Sequence, residues 1–390
     1  MLTLRLARGA QPLALCRRLL LAGAAAGVGF LLLAALAYAT AHPGGGRSAW
    51  LRLAWCAVPL AATVQLAVAV ARADPAARPR SGLDMAGMGP ARVPLLAAAS
   101  TAIAGLLGSA LTLLVFLHLR GSGSGLPLDG AAGDALAAER PLPVGAALTL
   151  LAVAPAAAAA ASGLALRRGT AAPRRRAAEE PARAAPALPP AGLPWGTALT
   201  GAGIALCGYG GNDARDGAAE GWLPLPGVLG GTAPGVVGGW LLIAAGIVLA
   251  APGLVYLCGR LLCGGRPGVL RLLAGRTLQG EARRLGCPLG ALCAASATLL
   301  AALELDGLRE FGPLGALGTG VVLACALGTV ATVADTARAD RRSATAALAR
   351  LGAPRTLLRG AAMLRAATLL GVLVPLTWLA AYLIALPAGQ

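Results

Sequence analysis

The sequence predicts an all-α protein: a polytopic transmembrane helix bundle of about nine spans, arranged as two parallel repeat units. Three observations predict it. Apolar residues make up 57% of the 390 residues and charged residues only 13%, outside the range of soluble globular domains. Several continuous apolar runs reach the roughly 20 residues needed to cross a hydrocarbon core of about 30 Å, without the alternation of barrel strands. The arginines gather in alternate connections between those runs, which orients a membrane protein.

Arg5, Arg8, Arg17 and Arg18 precede an apolar run at 19–40. It is long for a signal-peptide core and no cleavage site follows, so it reads as the first span. Further runs lie at 50–71, 93–119, 144–166, 193–209, 236–258, 285–303, 311–333 and 366–386. The run at 193–209 is short and contains Pro194, and charge decides it. Arg167, Arg168, Arg174, Arg175, Arg176 and Arg183 follow the fourth run, and Arg260, Arg266, Arg271, Arg276, Arg283 and Arg284 follow the sixth. Both clusters belong on the cytoplasmic side, so an even number of crossings separates them. With the N-terminus cytoplasmic, every arginine lies inside except Arg47, Arg52, Arg120, Arg140, Arg215 and Arg309, and the C-terminus lies outside. The expected location is a bacterial plasma membrane, the lysine-free, arginine-rich composition being that of a GC-rich bacterial genome.

Internal similarity divides the chain. Leu4-Arg5-Leu6 recurs as Leu270-Arg271-Leu272, Gly9 as Gly275, Arg17-Arg18 as Arg283-Arg284, and Ala71-Arg72-Ala73-Asp74 as Ala337-Arg338-Ala339-Asp340, all at an offset of 266. Three residues are then lost, and Gly89 and Arg92 match Gly352 and Arg355 at 263. The matched charges fall at equivalent places in the span order, so the repeat is parallel rather than inverted. The expected organisation is a first unit of four spans at 1–166, a disordered basic cytoplasmic linker at 167–192, an intervening helix pair at 193–262 and a second unit of three spans at 263–390.

Little in the chain suggests catalysis. The net charge of +17 sits in loops between spans, so it marks topology and the lipid surface rather than nucleic acid. Only Cys258 and Cys263 lie close together among eight cysteines, and His42 and His118 fall at span ends, so no metal site is expected. Gly121-Ser122-Gly123-Ser124-Gly125 reads as a flexible turn, Gly208-Tyr209-Gly210-Gly211 lacks a following phosphate-binding helix pattern, and no Walker motif occurs. The expectation is no enzyme, no catalytic residue and no cofactor. Span interiors carry no ionisable residue, which disfavours an ion-coupled carrier. Small residues such as Gly105, Gly108, Ala245 and Gly246 permit close helix approach, and Pro375 should kink the last span.

Arg341-Arg342, followed by Leu348-Ala349-Arg350-Leu351-Gly352-Ala353-Pro354-Arg355, resembles the loop between the second and third helices of the FtsX-like, or MacB-like, permease family. Asp84-Met85-Ala86-Gly87-Met88-Gly89-Pro90-Ala91-Arg92 follows the same outline more loosely. The resemblance covers most of the chain as architecture and is specific in sequence across 338–365. It implies a permease docked on a separate ATP-binding subunit, with Gly89, Arg92, Arg341, Arg342, Gly352 and Arg355 in the coupling loops. The chain departs from the family in three ways. Ala344 stands where an acid is usual, no large external domain is present, and the second unit ends after its third span, leaving Gln390 outside. These departures suit a divergent or degenerate member, and a non-transporting membrane scaffold is the rival reading.

Overall fold

The computed structural model describes residues 12–74, 92–121, 133, 136, 140–177, 190–215, 234–265, 268–310, 312–352 and 354–385. Among them there are ten helices and no strand: α1 (Pro12–Ala41), α2 (Gly46–Trp55), α3 (Ala57–Ala73), α4 (Arg92–Arg120), α5 (Val144–Ala177), α6 (Gly192–Arg215), α7 (Pro234–Leu262), α8 (Val269–Glu310), α9 (Gly312–Arg350) and α10 (Arg355–Ala385). Eight segments are long and apolar enough to cross a membrane: α1, the α2–α3 pair, α4, α5, α7, α8, α9 and α10. The chain is a multi-pass membrane protein.

The fifth expected span, 193–209, is helical but is not among the eight. Gly192, Gly196, Gly201, Gly203, Gly208, Gly210 and Gly211 dilute the hydropathy of α6, and Asn212 and Asp213 lie in its last turn.

The basic segments differ from expectation more clearly. Helix α8 has 42 residues and α9 has 39, which at about 1.5 Å per residue makes each roughly twice as long as the hydrocarbon core is thick. The basic stretch ahead of 285–303 and the one behind 311–333 are therefore continuations of the spanning helices, not separate segments. Ala, Leu and Arg are strong helix formers, so charge ends the hydropathy of these runs without ending the helix. Asp306, expected in an external turn, lies inside α8. Helix α5 likewise runs through Arg167, Arg168, Arg174, Arg175 and Arg176 to Ala177, where a disordered linker was expected to have begun. Residues 178–189 of that linker lie outside the described residues.

Two compact units divide the chain: Met1–Pro181 with Pro313–Thr332, and Ala182–Gly312 with Val333–Gln390. In the first, α1 and α4 pack in parallel. The Thr112 hydroxyl donates to the Ala26 carbonyl at 2.6 Å, and one turn on, the rings of Phe30 and Phe116 meet edge to face at 5.8 Å. A side chain at Gly108 would collide with the Ala22 carbonyl. Helix α5 runs antiparallel to α4, with Ser109 donating to the Leu151 carbonyl at 2.9 Å and Gly105 against Pro155. Leu21, Leu66, Val70 and Cys325 are buried together, as are Leu33, Phe116 and Leu151. Between α2 and α3 the helix falters at Cys56, because Pro59 has no N–H for the carbonyl one turn before it.

In the second unit, α6 and α7 form an antiparallel pair in backbone contact. A Cβ at Gly203 would lie 2.7 Å from the Gly239 carbonyl oxygen, and one at Gly246 would lie 2.7 Å from that of Gly196. Another face of α7 meets α8 in the same way, with a Cβ at Gly259 falling 2.8 Å from the Gly275 carbonyl oxygen. Helix α10 closes the unit, placing Leu373, Ala380 and Ile384 against Cys293, Ala297 and Ala301 of α8. Trp240 of α7 donates to the Ile384 carbonyl at 3.3 Å.

Candidate functional site: the ion-paired helix ends

The arginine-bearing ends of the helices carry the described ion pairs. In the first unit, Arg18 of α1 reaches Asp74, which caps the C-terminus of α3, at 3.2 Å. In the second unit, Arg284 of α8 reaches Asp340 of α9 at 3.0 Å. Each pair is separated by 56 residues along the chain. The arginines are 53% and 68% exposed, so each pair contributes about 0–1 kcal/mol. Their information lies in position.

Another feature recurs at the offset of 266. Thr63 donates to the Pro59 carbonyl at 2.9 Å, and Thr329 to the Cys325 carbonyl at 2.6 Å.

The second unit adds charges that the first has no counterpart for. Arg341 Nη1 lies 3.0 Å from Glu281 Oε1, with the two side chains 25% and 16% exposed, and Arg341 Nε donates to the Ala337 carbonyl at 3.0 Å. Arg338 pairs with Asp335 one turn away at 3.2 Å. At the offset of 266, Glu281, Arg341 and Asp335 correspond to Leu15, Pro75 and Ala69. Charges of alternating sign thus tie α8 to the end of α9.

The residues singled out from sequence separate into groups. Arg341 is bound to Glu281 within its own unit, and Arg342 beside it is exposed. Gly352 ends α9 with φ +89°, a left-handed conformation that glycine adopts without a Cβ penalty, and its N–H donates to the Ala349 carbonyl at 3.2 Å. Pro354 and then Arg355 start α10, so two long helices are joined by a short turn. Leu351 in that turn is 84% exposed. Arg92 starts α4, and Gly89 lies outside the described residues.

Sequence reasoning missed Glu281. It is the one acid between Cys263 and Leu303, which marks it in the sequence itself. It also missed Tyr38, whose ring carries Arg52 on its face. Among the described residues no group of three or more His, Cys, Asp or Glu side chains could hold a metal. No family model matches the chain, nor does any curated protein or solved structure compared with it.

Proposed function

We propose that this chain is the membrane permease subunit of an ATP-driven (ABC) transporter of the FtsX-like type, coupling a separate ATP-binding subunit to the movement or sensing of an amphipathic substrate. The observation that carries the reading is the recurrence of the Arg18–Asp74 pair as Arg284–Asp340, at the same sequence separation. A duplicated, parallel three-helix unit is what the resemblance implies, and matched tethers between the first and second helix of each unit are what duplication would leave behind. The Thr63–Pro59 and Thr329–Cys325 hydrogen bonds, 266 residues apart, support the same register.

In this reading the arginine-bearing ends face the cytoplasm of a bacterial cell. Helix α6, 24 residues long, crosses with α7 as a hairpin and restores the ninth span. The continuous helix α9 and its short turn into α10 form a stiff arm. A stiff arm transmits a push from a partner that a flexible loop would absorb. Arg342 and Arg355 meet acidic groups of the ATP-binding subunit there.

Co-purification tests the reading. The tagged protein in mild detergent should retain the ATP-binding subunit encoded nearest to it, and Arg342→Glu with Arg355→Glu should release it. Failure to recover any ATPase, under conditions that hold other permease complexes together, would sink the proposal.

One observation favours a second reading, a non-transporting scaffold. Arg341, the first arginine of the motif, is engaged by Glu281 inside the chain. A scaffold keeps its partner when ATP hydrolysis is abolished and leaves the partner's ATPase rate unchanged on binding, whereas a permease alters that rate.

A further inference from the structure

At the end of α2 opposite Asp74, the Arg52 guanidinium carbon lies 3.6 Å from the centroid of the Tyr38 ring. The His42 ring stacks on the same tyrosine at 4.3 Å, with 24° between the planes, and His42 Nδ1 is 3.2 Å from the Tyr38 carbonyl oxygen. Stacking over an aromatic face fixes the plane of a guanidinium while leaving its N–H groups pointing outward in that plane. Arg52 Nε is buried and has no hydrogen-bond partner, and among the described residues no carboxylate pairs with this arginine. A cation on a membrane-spanning segment, held flat and supplied with no anion by the described residues, is set up to receive one from outside.

The surroundings say which kind. Arg52 lies in the first turns of the Gly46–Ala73 segment, at the depth where a span leaves the hydrocarbon. Trp50, two residues earlier, is 73% exposed, and an exposed tryptophan at a span end sits among lipid headgroups. The group within reach of a planar N–H fork at that depth is a lipid phosphate. An ammonium in the same headgroup would be repelled by Arg52.

We infer that Arg52, held by Tyr38, is a binding site for the phosphodiester of an anionic phospholipid, on the α1–α2 side of the first unit. The guanidinium takes two phosphate oxygens through charge-assisted hydrogen bonds from its two terminal Nη groups. The acyl chains of that lipid run down the exposed face of α2 and α3 that carries Val58. The site is independent of the permease reading and survives its failure.

The test uses the full-length protein in nanodiscs of phosphatidylcholine with a minor fraction of phosphatidylglycerol, and native mass spectrometry after release to count retained phosphatidylglycerol. Wild type should retain it, Arg52→Gln should lower retention about tenfold, and Arg359→Gln, in another helix, should not. Tyr38→Leu removes the platform and should weaken retention. Arg52→Lys keeps the charge without the planar fork and should fall between wild type and Arg52→Gln. Equal retention by wild type and Arg52→Gln would overturn the site. If Arg52→Gln fails to fold, retention by Arg52→Lys equal to wild type does so, since any cation would then serve. Displacement of the lipid by millimolar inorganic phosphate would also overturn it, because the ligand would then be a free anion.

Discussion

Arg284 and Asp340 lie 3.0 Å apart in the second unit, 56 residues from each other, and Arg18 and Asp74 meet at 3.2 Å across the same interval in the first. Both pairs are exposed, so neither is a large source of stability. Asp340→Ala and Asp74→Ala should each lower detergent-solubilised thermal stability by no more than about 1 kcal/mol. Exchanging the charges, Arg284→Asp with Asp340→Arg, should return most of what either single reversal loses. A swap that performs no better than the single changes would mean that the two groups do not interact.

The pair Arg341–Glu281 should behave differently, because both side chains are largely covered. Glu281→Gln leaves a partly buried guanidinium without its counter-charge, and about 1–3 kcal/mol of stability should be lost. Glu281→Gln combined with Arg341→Gln should recover part of that loss, since the isolated charge is what costs. Thermal unfolding of the four proteins of the cycle in one detergent gives the coupling directly.

Gly352 should resist substitution. Its φ of +89° excludes a Cβ at low cost, so Gly352→Ala should destabilise by about 1 kcal/mol, and Gly352→Asn by less. Nothing lies within 4 Å of the place a Cβ would occupy, so the loss reports backbone strain alone. Equal stability of the alanine variant and wild type would show that the turn relaxes into another conformation.

Two glycines on α6 offer an internal control. Gly203 faces the Gly239 carbonyl, whereas a Cβ at Gly201 meets nothing within 4 Å. Gly203→Leu should cost about 1–3 kcal/mol through overpacking, and Gly201→Leu should be near neutral in the folded protein. Limited proteolysis between α6 and α7 should quicken only for the first.

Whether α6 crosses the bilayer can be read by labelling. In a background with the other cysteines replaced, an impermeant maleimide added to intact cells should reach Asp213→Cys and spare both Ala191→Cys and native Cys263. Labelling of Ala191→Cys together with Asp213→Cys would place α6 along one surface.

The helices were legible in the sequence wherever apolar runs were long, as from Leu19 onward, because desolvation in lipid permits little else. The expectation of an internal repeat rested on Arg17-Arg18 and the Ala-Arg-Ala-Asp runs. What escaped was continuity. Arg338, Arg341 and Arg342 lower hydropathy without disfavouring helix, so a hydropathy reading stops α9 well before Arg350, where the helix ends. Glu281 escaped for another reason: comparison of the two halves sees only what they share, and its counterpart is Leu15. The partner of Arg52 escaped because an aromatic face is read as bulk apolar surface until coordinates place a cation on it.

Helix α7 meets α6 and α8 through glycines and alanines, whose side chains have no rotamers to lose. Those close approaches cost almost no side-chain conformational entropy, although Ile243, Val255, Leu262 and Leu278 are also immobilised in the layer. In a hydrocarbon solvent, where exclusion of water drives nothing, the close approach of backbones must supply the attraction. The contacts of α8 with α10, made in part by larger side chains such as Leu373 and Ile384, should be the first to loosen on heating.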